Sequence, residues 1–169
     1  MKLFTFCLSI LLLGHSLSAQ ILNQSASWPN TAWSNTGAYN SYGLVNSPVS
    51  SSNFLWDDDL AGQFSVDNVA AESPIIDLST AFAGGEYWLT VSFGIVYREI
   101  SGTLNLEYWD ADASAWIIWE TINPNSSNYD YQYCSYLSTF TSQILNFSLF
   151  SPSQQSGFKY RLSYNDNGI

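Results

Sequence analysis

The sequence predicts an all-β chain folded as an antiparallel two-sheet β-sandwich. Three observations predict it. Apolar residues recur at every second position over several short stretches, and turn-forming clusters separate those stretches. No window of useful length carries the three- and four-residue apolar spacing of an amphipathic helix.

The elements follow in chain order. Met1, Lys2, an apolar run from Leu3 to Leu13 and the stretch from Gly14 to Ala19 match the three regions of a secretory signal peptide, assigned to residues 1–19. The run is too short to span a bilayer, which takes about 20 apolar residues. Cleavage fits after Ala19 and also after Ser18, with Ser16 at the −3 position. Cys7 lies inside the run, away from its end, which argues against a lipid anchor. No later segment reads as transmembrane. Residues 20–169 then form a single exported domain, secreted or held at the cell surface. It is long enough to bury roughly 70% of its unfolded surface.

Trp28, Trp33, Tyr39, Tyr42 and Trp56 crowd the first third, and residues 46–53 form a polar surface loop. Leu89, Val91, Phe93 and Ile95 alternate with polar or small neighbours and predict a strand with one buried face. Leu104, Leu106 and Tyr108 do the same opposite Asn105, Glu107 and Trp109. Asp110 to Ser114 reads as the loop of a hairpin leading into the segment from Trp116 to Trp119. Leu145, Phe147 and Leu149 alternate, as do Phe158, Tyr160, Leu162 and Tyr164. Residues 83–85, 101–102, 123–128 and 151–157 carry the glycine, proline, asparagine and serine of loops. Short strands joined by such loops pack as an antiparallel sandwich.

Composition excludes several function classes. The one histidine, His15, and one of two cysteines, Cys7, sit in the signal segment. The mature chain keeps one thiol, Cys134, and three basic residues, Arg98, Lys159 and Arg161. Such a chain builds no Ser-His-Asp triad, no Cys-His pair and no His-ligated metal site. Three basic side chains against fourteen acidic ones give a net charge of −11 after cleavage. That surface repels phosphate backbones, so nucleic acid is not an expected partner, and it attracts divalent cations.

Several short motifs, taken in order, resemble one family. They are residues 72–79 (Glu-Ser-Pro-Ile-Ile-Asp-Leu-Ser), the apolar strand from Trp88 to Val96, residues 102–108 (Gly-Thr-Leu-Asn-Leu-Glu-Tyr), the Trp116 to Trp119 segment, and the strand and turn from Phe158 to Gly168. Over residues 54–168 this order is similar to MAM-like jelly-roll modules of the concanavalin-A-like superfamily. The nearest in character are those of exported bacteroidete multidomain proteins. The resemblance implies a jelly roll, a place beside other domains in a longer parent chain, and a further strand after the final turn. The expectation is therefore a sandwich incomplete at its C-terminus.

Asp57, Asp58 and Asp59 form the densest charge cluster. With Asp67, Asp166 and the neighbouring Asn68 and Glu72 they are candidate ligands for calcium, which takes six to eight oxygens. The resemblance also implies a structural Ca2+ near such loops. Asp110, Asp112 and Ser114 imitate the start of an EF-hand loop, but Ala115 and Thr121 stand where glycine and glutamate belong, so a polar hairpin turn is expected. Tyr129, Tyr131 and Tyr133 alternate and are candidates for stacking on sugar rings. Glu107, Asp110 and Glu120 lack the spacing of a glycosidase pair. Cys134 reads as a packing thiol, and Asn23, Asn125 and Asn146 begin glycosylation sequons.

The expected function is a non-catalytic extracellular adhesion or interaction module, not an enzyme. Its partners would be an extracellular protein or glycan and neighbouring domains of its parent. The alternative is a calcium-assisted carbohydrate-binding module of a secreted polysaccharide-degrading enzyme, and the third reading is a hydrolase fragment.

Overall fold

A computed structural model describes residues 32–46, 53–62, 66–97, 102–122 and 137–166. Its frame is one antiparallel five-stranded sheet. The strands are β1 (Ser34–Ala38), β4 (Asn68–Glu72), β11 (Tyr160–Asn165), β7 (Thr103–Asp110) and β8 (Ala115–Ile122), in the spatial order β1-β4-β11-β7-β8. Three two-stranded antiparallel pieces accompany it. They are β2 (Leu44–Asn46) with β3 (Leu55–Trp56), β5 (Trp88–Leu89) with β10 (Leu145–Asn146), and β6 (Ser92–Ile95) with β9 (Ser138–Thr141).

The alternation in the sequence sets the register. Leu162 pairs with Leu106 on one side and Ala71 on the other, and Tyr164 with Leu104 and Val69. These residues line one face. Arg161, Ser163, Glu107, Glu72 and Ala70 line the other. The apolar face is covered by the second layer. Val91, Ile95 and Tyr97 pack on Leu106 and Ile122, with Phe93 and Phe140 against them. Phe147, Ile76, Leu78 and Ala81 pack with Phe158, against Leu89, Leu145, Tyr108 and Tyr160. The fold is thus an all-β sandwich, held by aromatic packing. Burial pushes the Tyr160 phenol up to about 12.

Two expected strands differ. The stretch from Leu89 to Ile95 is split into β5 and β6. At the break the Val91 amide donates to Ser142 Oγ while the Ser142 amide donates to the Val91 carbonyl. A side chain has replaced a ladder bond, and on either side of it β5 pairs with β10 and β6 with β9. The alternation through Leu149 also ends early. Asn146 Oδ1 accepts the Ser148 amide and the Phe147 carbonyl accepts the Phe150 amide, closing a turn that leaves Leu149 94% exposed.

Among the described residues three short α-helices occur where no helix was expected: α1 (Asp58–Ala61) at the acidic cluster, α2 (Ser79–Ala83) after the 72–79 motif, and α3 (Pro152–Ser156) in the stretch expected to be a loop. The signal for α3 is local. Ser151 and Gln154 form a reciprocal capping box around Pro152. α3 then docks on the segment before α2, where the Leu78 amide donates to the Gln155 carbonyl at 2.9 Å.

Candidate functional site

Asp58, Asp67 and Asp166 come from three separate segments and converge. Each offers a carboxylate oxygen, and these lie within 4.8 Å of one another. Asp67 and Asp166 are 2% and 1% exposed, while Asp58 stands at the rim. The convergence follows from the register: Asn165 pairs with Asn68, so the residues just beyond that pair, Asp166 and Asp67, meet as β11 ends and β4 begins. The Asp166 amide donates to the Asp67 carbonyl, and Asp166 Oδ1 accepts the Asp67 amide at 3.0 Å.

Asn40, which sequence reasoning passed over, braces the corner. Its amide donates to Asp67 Oδ1 at 2.8 Å, its Oδ1 accepts the Tyr42 amide, and its Nδ2 donates to the Ala61 carbonyl at 2.5 Å. The available signal was an asparagine ahead of Ser-Tyr-Gly, a side-chain cap for a tight turn. Gly43 in that turn lies against Trp56 and Ala61, where an added Cβ would stand 2.8 and 2.9 Å away, so the chain approaches closely there.

Three carboxylates this close repel one another. The Asp58 pKa is raised, first by burial, then by the charge of Asp166 and a hydrogen bond to it, then by Asp67 and Asp59. The corner therefore favours a proton or a cation. The donors are all hard oxygens, which suit calcium or magnesium better than zinc or copper. Two oxygens on one calcium stand at most about 5 Å apart, a span these three satisfy.

The other candidate ligands lie elsewhere. Asp57 caps α1, with Oδ1 accepting the Leu60 amide, and Asp59 is exposed on the first turn of that helix. An Asp run ahead of an apolar residue serves as a helix cap, which explains why consecutive acids do not share one ligand position. Glu72 accepts from Thr36 Oγ1 on the opposite sheet face, and Asn68 accepts from Ser163 Oγ. Tyr129, Tyr131, Tyr133 and Cys134 lie outside the described residues.

The second constellation occupies the polar face of the five-stranded sheet. Arg161 Nε donates to Glu107 Oε2, and Arg161 Nη1 lies 3.7 Å from Glu72. Lys159 reaches Glu72 at 3.3 Å. The Trp109 and Trp116 rings meet edge-on, with Lys159 Nζ 5.0 and 4.9 Å from their centroids and the Arg161 guanidinium 4.3 Å from Trp116. Two cations, two carboxylates and two indoles thus satisfy one another, and Arg161 holds the Glu107 side chain in place.

Asp110 likewise accepts from Gln154 Nε2 and from the Ala113 and Asp112 amides, bonds that hold its carboxyl below the usual range. It ends β7 and opens the hairpin turn expected from the failed EF-hand pattern. Glu120 Oε2 accepts the Gln143 amide at 2.7 Å. The chain matches no family model, no curated protein and no solved structure.

Proposed function

We propose that this chain is a non-catalytic interaction module of an exported protein, with a calcium ion bridging the corner where β11 ends and β4 begins. The convergence of Asp58, Asp67 and Asp166 from distant segments carries the reading. A cation there would neutralise buried like charges and tie the segment of α1 to the central strands. The non-catalytic part is supported by what the sheet acids do: Glu72, Glu107, Asp110 and Glu120 all accept bonds from neighbouring residues. The jelly-roll topology, the signal peptide and the extracellular location belong to the same proposal. The order of sequence motifs and the apolar N-terminal run support them.

Melting the purified mature chain with excess calcium or with chelator tests the metal. Calcium at about 100 times its dissociation constant adds about 2.7 kcal/mol, or roughly 5–10 °C for a domain of this size. Asp166→Asn keeps an oxygen acceptor for the Asp67 amide, removes the charge, and should erase the calcium shift. A melt that ignores both calcium and chelator overturns the metal. Turnover of any substrate by the module alone overturns the non-catalytic reading. A glycan array run with calcium decides whether the partner is a sugar or a protein.

A further inference from the structure

The two edges of the five-stranded sheet are built differently. β1 is five residues, polar and small, with Gly37 at φ 103° seated against the Asn68 carbonyl. A short polar edge of that kind resists further pairing. β8 is eight residues long and carries no proline, lysine or arginine. Among the described residues it pairs with β7 alone.

The C-terminal half of β8 is occupied in other ways. The register shifts after the Glu107–Ile118 pair, Trp119 Nε1 donates to the Gln143 carbonyl, and Glu120 accepts the Gln143 amide. The N-terminal half has no such ties to Gln143. From Ala115 to Ile118 it is uncharged and rich in β-forming residues. Ile117 and Ile118, on opposite faces of the edge, are 36% and 58% exposed. Natural sheets blunt such an edge with charge or proline; from Ala115 to Ile118 the strand itself carries neither, and the Lys159 and Arg161 cations beside the Trp116 ring are paired with Glu72 and Glu107.

We infer that the edge from Ala115 to Ile118 takes up an extended segment of a partner polypeptide by strand addition, apolar at its centre and cationic at its flanks. Main-chain hydrogen bonds would supply affinity, and Ile117 and Ile118 would receive alternate apolar side chains. The cationic flanks follow from charge. Asp110 and Asp112 stand at one end of the stretch and Glu120 at the other, on a chain of formal net charge −10. The same charge opposes a second copy of this chain as the occupant. The inference rests on the interaction-module reading for a protein partner; calcium melts and turnover assays judge that reading separately.

The test uses the full mature chain and a synthetic peptide of alternating valine and threonine with lysines at both ends. The peptide should slow hydrogen exchange of the outward amides between Ala115 and Ile118 by about tenfold or more, as added main-chain bonding does. Ile118→Lys, with an unchanged melt, should abolish that protection. A glutamate-flanked peptide should give none. Absent protection, protection confined to other strands, or equal protection by the glutamate-flanked peptide overturns the inference. So does a dimer of this chain joined through β8.

Discussion

Replacing Arg161 with alanine gives a sharp test of how the polar sheet face contributes. Arg161 bonds Glu107 and approaches Glu72, and it caps the Trp116 ring. Lys159 still neutralises Glu72 in the variant, so that carboxylate keeps a partner. Glu107 does not fare so well. Its side chain is 11% exposed, and the only ion pair it makes among the described residues is with Arg161. Breaking a buried pair from one side costs about 3–5 kcal/mol, and the partial exposure here places the expectation near the lower end, about 3 kcal/mol. For a domain of this length that lowers the melting temperature by roughly 6–12 °C. Urea unfolding measures it directly, through the midpoint at constant slope. The double variant Arg161→Leu with Glu107→Leu removes both charges and should return to within about 1 kcal/mol of the parent, because the cost lies in the stranded carboxylate and not in the lost attraction. A single variant costing less than about 1 kcal/mol, or a double variant worse than the single, would refute the reasoning.

Three further outcomes follow. Asp58 titrates above its ordinary value in the folded chain, so its stabilising contribution is present at low pH and is lost as pH rises through that raised pKa. Melts in chelator across mildly acidic pH should fall with rising pH, and Asp58→Asn should flatten that limb. Phe158→Ala opens a cavity beside Tyr108 and Phe150 and should cost about 3–5 kcal/mol in urea unfolding; a loss under about 1 kcal/mol would mean the core is not centred there. Gly37→Ala and Gly62→Ala both place a Cβ at positive φ, but only Gly37 also drives it to 2.0 Å from the Asn68 carbonyl. Calorimetry should find Gly37→Ala the more damaging, by more than about 1 kcal/mol; equal losses would contradict that contact.

Much of the architecture was legible. The alternations at Leu104–Tyr108 and Phe158–Tyr164 became β7 and β11, paired to each other, because period-two burial is a property of the chain itself. The breaks were not legible. Whether Ser142 bonds Val91 depends on a partner 51 residues away, and no local pattern announces it. The helices leave no periodic signal because each is about one turn long, although the Ser151–Gln154 capping box is written in the sequence. The acidic candidates divided in the same way. Asp67 and Asp166 flank paired strand ends and so had to meet, once β4 and β11 were known to be neighbours. Asp57 and Asp59 looked equally promising as letters, but capping geometry and the turn of a helix send them elsewhere.

The position of β11 has a mechanical consequence. It is held between β4 and β7, by five pairs to β4 and six to β7, while among the described residues β1 is zipped to β4 alone. Tension drawn along β11 loads two ladders at once and must shear them together. Tension drawn along β1 meets a single ladder of five pairs. In a protein that bears force, the sandwich would yield first from the β1 side and hold longest through β11.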